Sequence, residues 1–142
     1  MIGSVRVLVV DDFEAFRRLP CSILETMPEL QVICQASDGL EAVQRAEELQ
    51  PNLILLDIGL PTLNGIEAAR QIRRFSPDSK IIFLTLESST DVVQEGLNLG
   101  ARGYVLKTRA ALDLVAAVEA VLDGRRFVSA GLSGHNFTEP GS

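Results

Sequence analysis

The sequence is poor in histidine, cysteine and basic residues. Its one histidine, His135, lies in a polar segment near the end of the chain. We therefore expect no Ser-His-Asp triad, no histidine-based phosphotransfer and no histidine-rich metal site. The two cysteines, Cys21 and Cys34, lie in apolar segments without the spacing of a zinc site. This pattern favours two reduced core thiols in a cytoplasmic protein.

The sequence also has no excess of basic over acidic residues and no long hydrophobic run. Acidic residues outnumber basic ones by 19 to 13, and the formal net charge is −6. Because nucleic-acid-binding domains normally carry a basic stripe, we expect no direct nucleic-acid binding by this chain. No apolar run approaches the roughly 20 residues of a membrane span, and no membrane association is expected. The first residues place two acids directly after an apolar run, which favours a strand over a signal peptide.

Short apolar runs alternate with segments of helical periodicity. The runs predict five strands, at Val5–Val10, Val32–Gln35, Leu53–Leu56, Ile81–Leu84 and Gly103–Leu106. The segments between and after them predict five helices, at Glu14–Met27, Gly39–Leu49, Gly65–Phe75, Thr90–Leu99 and Ala111–Leu122. This alternation indicates an α/β domain with a parallel sheet covered on both faces. We expect the domain to span residues 1–128 and Ser129–Ser142 to be a linker or a disordered tail.

Polar side chains follow four of the five predicted strands. The pair Asp11-Asp12 follows the first strand, Asp57 the third, Thr85 the fourth and Lys107 the fifth. Each has an ordinary structural alternative: the acid pair could cap the next helix, and the others could be turn or strand-end residues. Because ligands of open α/β sheets bind at the carboxyl ends of the strands, the coincidence of all four favours a common site.

The chemistry of these side chains predicts phosphoryl transfer to a carboxylate. Three converging carboxylates repel one another unless a cation binds them, and Mg²⁺ prefers oxygen ligands. The ammonium group of Lys107 suits a phosphoryl group, and the hydroxyl of Thr85 could donate to one of its oxygens. Positioning and charge neutralisation supply most of the catalysis in such sites.

Several motifs carry a resemblance to a known family. They are VLVVDD at residues 7–12, LILLDIGLPTLNGIE at 53–67, IIFLT at 81–85 and GYVLK at 103–107. The spacing of Asp57, Pro61 and Gly65 is the most specific feature. Over residues 5–128 the chain resembles the receiver domain of two-component response regulators. The resemblance implies a flavodoxin-like, doubly wound sheet of five parallel strands in the order 2-1-3-4-5.

The resemblance also implies a role for each site residue. Asp57 is expected to be the phosphoacceptor. Asp12 and Asp57 are expected to bind Mg²⁺ (or Mn²⁺) directly, Asp11 through water, and Gly59 through its backbone carbonyl. Lys107 is expected to pair with the phosphoryl group.

Two further residues are expected to form a conformational switch. Thr85 would supply the switch hydroxyl, and Tyr104 would be the aromatic side chain that moves with it and reshapes the surface over Thr90–Asp123. The alternative for Tyr104 is a fixed strand aromatic, half buried with its hydroxyl in water. Leu86 and Glu87 depart from the family pattern and are expected to alter access to the site and the lifetime of the phosphoryl group.

The function implied is signal transduction rather than enzymatic turnover. A sensor histidine kinase would phosphorylate Asp57, and the altered surface would control the protein's own output domain, a downstream protein or a phosphorylation-dependent homodimer. The stretch LVAAVEAVLDGRRFVS at residues 114–129 resembles the last receiver helix of the subfamily with helix-turn-helix outputs, so we expect a transcriptional output. The chain is either a single-domain receiver or a fragment cut in its linker, and the linker-like composition of Ser129–Ser142 favours the fragment. One alternative is a Mg²⁺-dependent phosphohydrolase, although Gly59 replaces the second acid of such enzymes. The other is a receiver that signals without phosphorylation, which the complete set of site residues disfavours.

Overall fold

One parallel sheet forms the centre of the protein in the computed structural model, which describes residues 3–86 and 89–129. Within these residues the strands are β1 (Val5–Val10), β2 (Leu30–Ala36), β3 (Leu53–Leu56), β4 (Lys80–Thr85), β5 (Gly103–Leu106) and β6 (Phe127–Val128). The helices are α1 (Glu14–Glu25), α2 (Gly39–Leu49), α3 (Gly65–Phe75), α4 (Thr90–Asn98) and α5 (Ala110–Leu122), with a short 3₁₀-helix at Lys107–Arg109.

The order of the strands is β2-β1-β3-β4-β5-β6, and every neighbouring pair is parallel. The predicted α/β fold and the order of its first five strands are therefore confirmed. The sixth strand was not predicted, because its two residues are too few to show a periodic pattern. It extends the sheet beyond β5, the strand that was expected to form the edge.

Two hydrophobic layers cover the sheet. Alternate residues of each strand point to opposite faces, as Leu8 and Val7 do in β1. One face packs against α2, α3 and α4, and the other packs against α1 and α5. Because both of its faces are buried, the central strand β3 is apolar throughout instead of alternating with polar residues.

The helix α1 differs from its predicted packing. Leu24 and Met27 are buried against the sheet, but Phe16 and Leu19 on the same predicted apolar face are each 47% exposed. Pro20 is buried inside the helix, which continues through it to Glu25. The N-terminal turns of α1 therefore present apolar side chains to solvent beside the carboxyl end of the sheet.

The chain after α5 belongs to the fold as far as Ser129. The Ser129 N–H donates to the Tyr104 carbonyl at 2.9 Å, and its side chain is fully buried. Ser129 was predicted to begin a linker; the rest of that segment, with His135, lies outside the described residues, as does Glu87. In the described part of the chain no helix has the length and hydrophobicity of a membrane span.

Candidate functional site

The predicted strand-end residues converge at one edge of the sheet. Val10 of β1 pairs with Leu56 of β3, so the residues that follow them, Asp11 and Asp57, lie side by side. Thr85 ends β4, and Lys107 follows β5 directly. A cleft of about 440 Å³ opens at this edge, and its lining comprises Asp12, Phe13, Phe16, Asp57, Ile58, Gly59, Thr85, Leu86 and Lys107.

Three carboxylates gather at the cleft. Asp11, Asp12 and Asp57 each offer an oxygen atom, and these atoms all lie within 4.8 Å of one another. Asp11 and Asp57 are buried, whereas Asp12 is partly exposed. A set of hard oxygen donors this close together is the kind of ligand set that Mg²⁺ requires. The donors present therefore fit the predicted cation.

Lys107 places its ammonium group between two of these carboxylates. Its Nζ lies 2.6 Å from Asp11 Oδ2 and 3.1 Å from Asp57 Oδ2. Burial alone would lower the pKa of Lys107, but its hydrogen bonds with Asp11 and Asp57 and the charges of these carboxylates outweigh burial and raise the pKa above its ordinary value. The three carboxylates and this ammonium leave two formal negative charges, which a divalent cation would balance.

Backbone groups orient two of the carboxylates. The Phe13 N–H donates to Asp11 Oδ1 at 3.0 Å, and the Gly59 N–H donates to Asp57 Oδ1 at 3.3 Å. The helix α1 begins after Phe13 without a side-chain cap. The alternative that Asp12 caps this helix is therefore not observed, and its carboxylate lines the cleft instead.

Gly65 explains the spacing of the most specific sequence motif. A Cβ atom at Gly65 would lie 2.0 Å from the Asp57 carbonyl oxygen and 2.6 Å from Ile58 Cα. The Gly65 N–H donates to the Ile58 carbonyl at 2.7 Å. The first residue of α3 therefore packs directly against the backbone of Asp57, and only glycine fits there.

The two predicted switch residues occupy different positions relative to the cleft. Thr85 is buried and lines the cleft. Tyr104 is fully buried within the layer under α2, α3 and α4, where its ring centroid lies 5.9 Å from that of Phe83. The alternative, in which Tyr104 is half buried with its hydroxyl in water, is therefore wrong for this structure.

Two aromatic residues at the cleft were not predicted to be part of the site. The ammonium of Lys107 lies 4.8 Å from the ring centroid of Phe16, and Phe16 makes an edge contact with Phe13 at 5.4 Å. Leu86, which is 61% exposed, completes this apolar side of the cleft. The position of Phe13, directly after the acid pair, was a sequence signal for proximity to the site.

Comparison with known proteins identifies sequence and structural relatives. The family profile of the response regulator receiver domain matches residues 7–119. The transcriptional regulatory protein LiaR of Bacillus subtilis (strain 168) is 42% identical over 120 residues, which cover 84% of this chain and 57% of LiaR. The transcriptional regulatory protein DegU of Brevibacillus brevis is 35% identical over 126 residues, covering 89% of this chain and 53% of DegU.

A solved structure shares the whole architecture. The two-component response regulator of the LuxR family from Aurantimonas sp. SI85-9A1 superposes with a TM-score of 0.87 at 32% identity, covering 92% of this chain and 94% of that one. By contrast, the chain spans only a little more than half the length of the curated relatives LiaR and DegU.

Proposed function

Because the chain belongs to the response regulator receiver domain family, we propose that it accepts a phosphoryl group on Asp57 and thereby switches a protein-binding surface. The observation that carries the proposal is the cluster of three carboxylates with the Lys107 ammonium between Asp11 and Asp57. This arrangement combines a nucleophile, a cation-binding set and a fixed positive charge in one cleft.

In the proposed reaction a carboxylate oxygen of Asp57 attacks the phosphorus atom of the donor. The new O–P bond forms as the bond from phosphorus to the donor breaks, and the donor leaves with the electron pair. Asp11, Asp12, Asp57 and the Gly59 carbonyl would hold Mg²⁺, which when bound neutralises charge on the carboxylates and on the phosphoryl oxygens. Lys107, already next to Asp57, would then pair with the incoming phosphoryl group.

The donor and the output are proposed from the relatives. A sensor histidine kinase would supply the phosphoryl group, as expected for a receiver domain. LiaR and DegU are described as transcriptional regulatory proteins. We propose that the receiver domain covers residues 1–128 together with the buried Ser129. The residues that follow would form a linker, and a transcriptional output domain would lie beyond it.

The proposed switch couples Thr85 to Tyr104. The Thr85 hydroxyl would move to donate to a phosphoryl oxygen on Asp57, and the space that it leaves beside β4 would favour the buried position of Tyr104 over an outward one. The surface over Thr90–Asp123 would change with it and dock a partner or a second copy of the chain. Leu112 and Val115, apolar side chains that α5 leaves exposed, support such a contact surface.

The proposal is tested by phosphorylation with acetyl phosphate. The wild-type protein should take up one acid-labile phosphate in the presence of Mg²⁺ and none in the presence of a chelator. Asp57→Asn should take up none, while Asp78→Asn, a change at an exposed aspartate, should behave as the wild type. Circular dichroism checks that both variants are folded. Full labelling of Asp57→Asn would refute the assignment, and rapid turnover of many phosphate esters would favour a hydrolase.

A further inference from the structure

We propose that Phe16 is a positioning residue for Lys107: its ring holds the ammonium group between the carboxylates of Asp11 and Asp57. The inference rests on the proposed phosphorylation of Asp57. It assigns a local role to a side chain that the hydrophobic core does not use.

The contacts of the Lys107 ammonium carry this inference. Asp11 Oδ2 and Asp57 Oδ2 lie 2.6 and 3.1 Å away, and the ring centroid of Phe16 lies at 4.8 Å. The face of an aromatic ring is electron-rich and attracts a cation within about 6 Å. The Lys107 side chain is only 14% exposed, and the two carboxylates and the ring all lie close to its ammonium group.

The ring of Phe16 is itself held in place. Phe16 lies in the first turn of α1, where its N–H donates to the Phe13 carbonyl at 3.1 Å. Phe13 contacts it edge-on with an interplanar angle of 73°. In the next residue, the Arg17 Nε–H donates to Gln35 Oε1 at 3.0 Å, which links this turn to the end of β2. The ring therefore has a defined place above Lys107, although nearly half of the Phe16 side chain is exposed.

This placement matters because a lysine side chain is long and flexible. Without the Phe16 ring on the open side of the cleft, the ammonium group of Lys107 could move from the carboxylates into solvent and lose contact with the reacting group. Phosphoryl transfer depends on groups that are already in position when the donor arrives. An exposed cation–π contact is expected to change the rate about two- to fivefold.

The experiment compares Phe16→Leu with Phe16→Tyr. Leucine keeps an apolar side chain but has no aromatic ring, whereas tyrosine keeps the ring. Leu19→Ala is the matched control, because Leu19 lies on the same helix with the same exposure but does not line the cleft with the carboxylates. Acetyl phosphate serves as donor so that no protein partner contacts α1. The initial rate of Asp57 labelling is measured, together with the proton NMR shift of the Lys107 ε-methylene group.

Phe16→Leu should label about two- to fivefold more slowly, and the upfield ring-current shift of the Lys107 ε-methylene should disappear. Phe16→Tyr and Leu19→Ala should keep both the rate and the shift. Wild-type labelling by Phe16→Leu, or an equal loss of rate in Phe16→Leu and Phe16→Tyr, would overturn the inference. If the wild-type protein takes no label, the proposed function fails. The NMR shift then decides the inference alone: an upfield position supports it, and a random-coil position overturns it.

Discussion

The positive charge of Lys107 is expected to stabilise the folded protein, because two carboxylates lie beside it. Its pKa is raised above the ordinary value of 10.5, because Asp11 and Asp57 outweigh the effect of burial. A group with a raised pKa stabilises the folded state below its unfolded pKa, and this contribution is lost as the pH rises through the folded pKa. Lys107→Met should therefore lower the free energy of unfolding by a constant amount below pH 10.5, and by less above it.

Urea titrations of both proteins in a metal-free buffer, from pH 8 upward, measure this difference. Comparing the two proteins cancels the titration of all other groups. A difference that stays the same well above pH 10.5 would contradict a charged contact between Lys107 and the carboxylates.

Gly65 sets the position of Asp57 by its lack of a side chain. Gly65→Ala places a Cβ atom 2.0 Å from the Asp57 carbonyl oxygen, so the start of α3 and the loop that contains Asp57 must separate. We expect a loss of about 3 kcal/mol in the free energy of unfolding, the upper range for overpacking. Gly59→Ala is the matched control, since nothing lies within 4 Å of its Cβ, and it should cost less than about 0.5 kcal/mol. Similar losses in chemical denaturation of the two variants would refute this explanation of the motif.

The convergence of the site residues could be predicted, whereas the aromatic side of the cleft could not. Asp11, Asp57 and Lys107 follow apolar strands, Thr85 ends one, and the carboxyl ends of parallel strands meet at one edge. Phe16 has the helical spacing of a core residue, and spacing alone does not show how far the sheet extends beneath a helix. The exposure of Phe16 therefore depends on how α1 packs against the sheet, which the sequence pattern does not show.

At the scale of elements, β6 and Ser129 close the edge of β5. The Ser129 hydroxyl accepts from the Leu106 N–H at 3.0 Å and donates to Asp113 Oδ2 at 2.9 Å. Arg109 binds the same carboxylate oxygen, with its Nε 2.8 Å from Asp113 Oδ2. This network joins the end of the described chain to β5, to the turn after Lys107 and to the start of α5.

Ser129→Ala should lower the free energy of unfolding by about 1–3 kcal/mol, because the Leu106 N–H and the buried carboxylate of Asp113 each lose a partner. Ser22→Ala, at an exposed position of α1, should change it by less than about 0.5 kcal/mol. Chemical denaturation measures both. Equal stability of Ser129→Ala and the wild type would mean that the hydrogen bonds of the Ser129 hydroxyl contribute nothing measurable to the stability of the fold.

The longer elements could be predicted because each has many residues with one pattern. Three strands, among them Leu53–Leu56, and two helices, Gly39–Leu49 and Gly65–Phe75, have the predicted limits, and the ends of the other elements moved by one or two residues. Ser129 was missed for a physical reason: a serine after a short strand among glycines and serines has the composition of a linker. Its burial arises from contacts with β5 and the start of α5, where its hydrogen-bond partners Leu106 and Asp113 lie 23 and 16 residues away in sequence.

At the scale of the whole molecule, the carboxylate cluster should make stability depend on divalent cations. Asp11, Asp12 and Asp57 lie close together only when β1 and β3 are paired, so a cation that binds all three binds the folded state alone. At a Mg²⁺ concentration of 100 times the dissociation constant, the expected gain in the free energy of unfolding is about 2.7 kcal/mol. Thermal unfolding with increasing MgCl₂ measures this gain.

The net charge of −6 makes a control for ionic strength necessary, because any salt reduces repulsion among surface carboxylates. NaCl at equal ionic strength should stabilise the protein much less than MgCl₂. Asp12→Asn should remove most of the Mg²⁺-specific part, because it deletes one carboxylate of the cluster while Lys107 still bridges Asp11 and Asp57. Asp78→Asn changes the net charge equally but lies at an exposed turn before β4, so its response to Mg²⁺ should match that of the wild type. An equal response of Asp12→Asn and Asp78→Asn would mean that Mg²⁺ acts by general screening and that the cluster is not its binding site.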